Sequence, residues 1–192
     1  MRIATALATL SLVVATPALA APTTYTFDPA HSAATFTIKH LGISTVRGEF
    51  GKMTGKVELD RSNLRLSKVE ATIDAASVST REPKRDAHLK SPDFFDVAKF
   101  PNMSFKSTRV ETAAGGALKL TGDLTLHGVT KPVTFDVQPL SADTKTPFNT
   151  TIVATSATAR INRRDFGITG GTAGVMVGDD VNITLDLELV KQ

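Results

Sequence analysis

Val181-Asn182-Ile183-Thr184-Leu185-Asp186-Leu187-Glu188-Leu189 is the stretch on which the fold turns. Successive side chains of a strand point to opposite faces, so the five apolar residues share one side and the four polar ones the other. A strand dry on one face and wet on the other belongs to an antiparallel sheet, not to a parallel one covered by helices. The same period recurs upstream. Phe36 and Ile38 oppose Thr35, Thr37 and Lys39, while Val57 and Leu59 oppose Lys56, Glu58 and Asp60. Val69, Ala71 and Ile73 oppose Lys68, Glu70, Thr72 and Asp74. Leu118, Leu120, Leu124 and Leu126 oppose Lys119, Thr121, Asp123 and Thr125. Further strands are expected over residues 23–27, 103–108, 133–137 and 151–161.

About eight or nine strands and a single helical insertion predict an all-β domain. Closure into an antiparallel barrel would dispose of the sheet edges, with a two-sheet sandwich as the alternative. Turns are marked by Arg61-Ser62-Asn63, Ala114-Gly115-Gly116 and His127-Gly128-Val129-Thr130-Lys131-Pro132. The run from Thr151 to Ile161 carries small side chains on both faces. An eight-stranded barrel lies between a filled core and a ligand cavity, and small inward residues favour the cavity.

The one clearly non-strand passage is Arg85-Asp86-Ala87-His88-Leu89-Lys90-Ser91-Pro92-Asp93-Phe94-Phe95-Asp96. Ser79 or Thr80 is positioned to cap a helix through Lys90, with Pro83 in its first turn. Pro92 should stop that helix and begin a second short turn, which delivers Phe94 and Phe95 together. Two adjacent aromatics beside a mixed-charge cluster suit the closed end of a barrel that contains something greasy with a polar end.

The first twenty residues read as a signal peptide. Met1-Arg2 gives a positive start, residues 3–14 are mostly apolar, and Ala18-Leu19-Ala20 fits a small-x-small cleavage site. Residues 21–192 then form one domain, exported and without a lipoprotein cysteine. The chain has no cysteine at all, so disulfides and thiol chemistry are excluded and core burial must hold the fold. Its 22 basic and 19 acidic residues are interspersed, giving +3. Nucleic acid would require a clustered basic face with stacking aromatics, and is not expected as a partner.

Chemistry-bearing motifs are sparse. His31, His40, His88 and His127 are not paired at ligand spacing, so no metal is expected. Strand parity places His127 with Thr125 on the wet face, and His40 on the Phe36–Ile38 face at the strand's end, where it could meet a head group. Asp86 and His88 lie two apart on a helix and so point to different sides. Arg85 and Asp86 read as an ion pair that anchors the helix to the barrel rim. No Gly-x-Ser-x-Gly elbow is present. The Gly167–Gly174 stretch runs on toward a strand without the helix N-terminus a phosphate loop needs, and reads as a loop or wide hairpin.

One set of landmarks, in order along the chain, resembles the YceI-like family of exported bacterial proteins. They are Tyr25-Thr26-Phe27-Asp28-Pro29-Ala30-His31-Ser32, Phe36, His40, Gly48-Glu49-Phe50, Thr80, Arg85-Asp86-Ala87-His88-Leu89 and Asp93-Phe94-Phe95-Asp96. Phe100-Pro101, Phe105-Lys106-Ser107, the segment from Gly122 to Val133 and Asn162-Arg163-Arg164-Asp165-Phe166-Gly167-Ile168 complete them. The resemblance implies an extended antiparallel lipocalin-like β-barrel of about eight strands with a short helical insertion. It also implies a periplasmic location and a long apolar cavity for a polyisoprenoid or quinone-like lipid. No catalytic residues or cofactor beyond that lipid are implied, and a membrane b-type cytochrome is an implied partner.

On this reading Phe36, Ile38, His40, Phe50, Leu89, Phe94, Phe95, Phe105, Phe166 and Ile168 are expected to line the lipid site. Arg85, Asp86, His88, Arg163 and Arg164 are the candidates for a polar or phosphate-bearing head group. The expected role is transport or storage rather than catalysis. The rivals are a lipid hydrolase or isomerase using Asp86, His88 or His40, and a lipid-loaded sensor that docks on a membrane redox protein. An edge strand or the loop around Gly170 would allow a homodimer.

Overall fold

The structure is a computed structural model that describes residues 21–171 and 176–192. The expected signal peptide and the end of the glycine-rich stretch, residues 172–175, lie outside the described residues. Twelve strand segments follow in order: β1 (Thr23–Phe27), β2 (Ala33–His40), β3 (Ser44–Phe50), β4 (Met53–Leu59), β5 (Lys68–Asp74) and β6 (Val78–Ser79). After helix α1 (Pro83–Lys90) come β7 (Asn102–Thr112), β8 (Leu118–Leu126), β9 (Val129–Val137), β10 (Thr144–Lys145), β11 (Thr151–Asn162) and β12 (Val177–Lys191).

Eight of these close into an antiparallel barrel in the order β12, β1, β4, β5, β7, β8, β9, β11 and back to β12. The stretch that fixed the fold class is the closing strand, paired with β11 from Ile152↔Val190 to Asn162↔Asp180. Its other edge is shared. Residues 189–191 pair with β1, and residues 177–186 with β2. β3 adds to β2, and β6 to β3.

Thus β1–β2, β3–β4 and β5–β6 are three long strands, each broken at the same level: residues 28–32, Gly51 with Lys52, and Ala75–Ser77. Side chains patch the ladder across these breaks. Ser32 Oγ donates to the Glu188 carbonyl and accepts from its amide, at 3.2 and 3.1 Å. Ser77 Oγ accepts from the Lys52 amide at 3.2 Å. Past the breaks β2 and β3 continue the wall as a hairpin, β2 against β12 and β6 against β3.

Where the structure differs from the local expectations, the reasons are specific. Glu82, not Ser79 or Thr80, caps α1, its carboxylate accepting from the Arg85 amide at 2.8 Å with Pro83 in the first turn. The expected long turn from His127 to Pro132 is only His127-Gly128, both at positive φ, and β9 begins at Val129. That is a two-residue hairpin turn whose twist matches the strands it joins. Pro132 fits in β9 because this strand meets β11 only at Asp136 and Val137, so the missing amide breaks no ladder bond there. The left-handed turn also invalidates parity at His127. Its half-buried ring packs edge-on against Phe100 at 4.7 Å, and Nδ1 lies 3.3 Å from the Phe166 carbonyl.

Candidate functional site

The alternating apolar faces all turn inward. Val181, Ile183, Leu185, Leu187 and Leu189 of β12 border one continuous cavity, as do the apolar faces read for β4, β5 and β8. The cavity volume is about 250 Å³. Val177 and Leu189, both at the wall, lie on β12 at a spacing that amounts to about 40 Å of strand at ~3.3 Å per residue. A volume this small over that length makes a long, narrow lumen. Among the described residues that line it, only Arg163 is charged. On β11 the inward positions include Thr155, Ala157 and Ile161, so the run of small side chains does leave room.

Three strand glycines keep the lumen open. Phe27 lies opposite Gly55 across the β1–β4 pair, with Tyr25↔Val57 and Thr26↔Lys56 setting the register. A Cβ on Gly55 would stand 2.3 Å from the Phe27 ring. The same close approach joins Gly48 to Phe36, at 2.3 Å, and Gly122 to Phe105, at 2.4 Å. Each phenyl ring therefore lies flat against the wall in the space a side chain would take, instead of filling the barrel. Isolated glycines inside strand patterns are the signal that the sequence carries for this device.

Of the expected lipid-site residues, Phe36, Ile38, Phe50, Leu89, Phe94, Phe95, Phe105 and Ile168 border the lumen. Phe36, Phe50 and Phe95 form a ring-to-ring run with successive centroids 5.7 Å apart. Two expectations are corrected. Phe166 is buried behind the wall, in the short 3-10 turn (Arg163–Phe166) after β11. His40 does not border the lumen either, because β2 has passed its end there and His40 pairs with Ser44 at the hairpin tip.

The head-group candidates are gathered at the α1 end, but each is engaged within the protein. Arg85 and Asp86 do not pair directly; both meet at buried Thr80. Asp86 Oδ1 accepts from the Thr80 amide and hydroxyl at 2.8 and 2.5 Å, while Arg85 Nε and Nη2 donate to Thr80 Oγ1 and O at 2.7 and 2.9 Å. The helix is anchored as expected, through Thr80 rather than through an ion pair. His88 Nε2 lies 2.9 Å from Asp93 Oδ2 at the surface. Arg163, 3 % exposed, donates to the carbonyls of Ile168, Gly170, Gly178 and Val177 at 2.7–3.3 Å, with Asp179 Oδ1 3.1 Å away. Burial lowers its pKa and Asp179 opposes that shift; an arginine stays charged regardless. Arg164 Nε donates to the same carboxylate at 2.7 Å. Arg163 therefore ties Ile168 and Gly170 to Val177 and Gly178 at this end.

Tertiary structure assembles one group of three potential metal ligands among the described residues, Asp28, His31 and Glu188, at the break between β1 and β2. Asp28 Oδ1 already accepts from the Ala30 and His31 amides at 2.7 and 3.0 Å. The Ala30 amide is the main influence holding that carboxyl below its usual pKa, with His31 adding to it and burial opposing. The His31 ring is exposed. These contacts close the turn that carries the chain from β1 into β2.

The family model for a YceI-like domain matches residues 25–189. A UPF0312 protein of Vibrio parahaemolyticus is 36% identical over 161 residues, covering 83% of this chain and 85% of that protein. The crystal structure of a Campylobacter jejuni YceI protein superposes with a TM-score of 0.72 at 32% identity, over 81% of this chain and 90% of that one. A polyisoprenoid binding domain from Saccharophagus degradans, implicated in plant cell wall breakdown, shares the fold at a TM-score of 0.65 and 16% identity, over 88% and 98% of the two chains. The chain belongs to the YceI-like family.

Proposed function

We propose that this YceI-like protein is a binding protein, not an enzyme, which holds the hydrocarbon chain of an isoprenoid or quinone-like lipid in its barrel for transport or storage in the periplasm. The observation that carries the reading is the lumen, apolar along its length and kept clear by the Gly–Phe pairs. Burial is worth roughly 0.8 kcal/mol per CH₂, so each five-carbon unit gains about 4 kcal/mol gross. Ordering the ligand takes back much of that sum. A prenyl chain alone in water forgoes the whole of it, which is the physical reason for a soluble carrier between membranes. The isoprenoid class is supported by the ligand named for the Saccharophagus degradans domain, and the periplasmic setting by the signal-like first twenty residues.

Displacement of a lumen-bound fluorescent probe by prenyl alcohols of increasing length tests this. Affinity should rise with each added unit and level off once the lumen is full. Affinity independent of chain length, or no displacement by any member, would contradict it.

A further inference from the structure

A second space lies outside the barrel wall, against β4, β5 and β7, and nothing above uses it. Five cations line this groove, Lys56, Arg65, Lys68, Lys106 and Arg109, with only two carboxylates, Glu58 and Glu70. The lining thus carries three more positive than negative charges, and Glu111, paired with Arg109 at its edge, reduces that excess to two. Ion pairs join Lys56 and Lys68 to Glu58, Lys106 to Glu70, and Arg109 to Glu111. All are exposed, and exposed pairs of this kind contribute little, so that little is lost when such a cation turns to another anion. Arg65 has no carboxylate partner among the described residues and reaches only Thr112 Oγ1, at 3.5 Å.

The groove also adjoins the lumen. Ser67 and Val110 line both spaces. The β5–β7 ladder runs from Asp74↔Asn102 to Glu70↔Lys106 and ends there, just before a bulge between Ser107 and Arg109. Beyond it the Val69 amide is satisfied by a side chain, Ser107 Oγ, at 2.8 Å. Between Ser67 and Val110 the barrel wall is thus a seam of side chains, without a backbone ladder among the described residues. At the opposite end, Thr80 holds Arg85 and Asp179 holds Arg164. Arg163, the one charged residue among the described lining of the lumen, is committed to four carbonyls and Asp179. His88 is left there only an exposed pair with Asp93.

From these two observations we infer that the lipid is anionic, and that its phosphate-class head group sits in this outer groove while the hydrocarbon chain passes the Ser67–Val110 seam into the lumen. Lys68, Arg65 and Arg109 flank the seam and make the contacts. The inference rests on the lumenal binding of an apolar chain, and its test separates the two. Farnesol and farnesyl diphosphate carry the same chain, so the difference in their affinities reports the head group alone. Titration of the mature protein at low salt should give farnesyl diphosphate at least about a tenfold advantage, as charge-assisted hydrogen bonds to several cations imply. Lys68→Gln with Arg109→Gln should erase most of that advantage and leave farnesol binding as it was.

No binding of farnesol by the wild type would sink the lumenal reading itself. Farnesol binding without any preference for the diphosphate would overturn the head-group site alone. So would a preference that survives the double variant but falls in Arg85→Gln, since the head group would then sit at the α1 end. Inorganic pyrophosphate binding as tightly as farnesyl diphosphate would also overturn it, by showing an anion site without connection to the chain.

Discussion

Ala157→Phe separates a ligand-holding lumen from an ordinary core. Ala157 is 4 % exposed, borders the lumen, and sits mid-barrel where β11 pairs with Val137 of β9 and Leu185 of β12. In a well-packed core such a change overpacks and costs about 1–3 kcal/mol. Here the wall encloses about 250 Å³, and at roughly 24 cal/mol per Å³ an empty space of that size represents about 6 kcal/mol of forgone packing. A phenyl ring placed in it should recover part of this, raising the stability of the lipid-free protein by about 1 kcal/mol. The ring adds six carbons and excludes about one five-carbon unit of ligand, worth about 4 kcal/mol gross. Affinity for the longest prenyl alcohol that fits the wild type should therefore fall between about tenfold and a thousandfold, with a chain one unit shorter little affected. Denaturant unfolding of delipidated protein and a displacement titration give the two numbers. The opposite signs carry the test: loss of stability with unchanged affinity would refute the reasoning, because the site would then be core and the ligand elsewhere.

Gly55→Ala should force the Phe27 ring off the wall, costing about 1–3 kcal/mol of stability and shortening the longest chain accommodated; both are read by the same two assays. Arg163→Met leaves the carbonyls of Ile168, Gly170 and Gly178 without their donor, and denaturant unfolding should show a loss of about 3–5 kcal/mol, as for removing one partner from a buried charged network. Asp60 accepts from the Ser62 hydroxyl and the Asn63 and Ser62 amides, which together hold its carboxyl below the usual value despite burial. A lowered folded-state pKa contributes stability above the ordinary carboxylate range that is lost as pH falls through the lowered value. Asp60→Asn should thus be less stable than the wild type at neutral pH, and the two unfolding curves should converge in acid.

The barrel's inner surface was legible because burial on one face imposes period two, and each face read from β2, β4, β5, β8 and β12 lines the lumen. Phe94 and Phe95 were legible for a different reason: Pro92 ends α1, and the chain must then deliver its next apolar pair back to the barrel. What escaped the sequence depends on register or on contacts distant in the chain. The breaks at residues 28–32, at Gly51 with Lys52 and at Ala75–Ser77 share no signal in the sequence, and only the strand register sets them at one level of the wall. His127 was misplaced because alternation does not survive a left-handed residue. Phe166 was assigned to the lumen as an apolar landmark, yet a 3-10 turn has no face period to aim it there. The basic groove was invisible because Lys56 and Lys68 each alternate with a carboxylate along their own strands and Lys106 stands between Ser104 and Thr108, so that only the lateral stacking of β4, β5 and β7 gathers them.

Native mass spectrometry of the protein purified under mild conditions from its own cell envelope, followed by solvent extraction, tests the central claim most directly. The expected result is a near-stoichiometric isoprenoid lipid released from the folded chain. A folded protein that carries nothing, and whose lumen takes up no prenyl chain when offered one, would contradict the account.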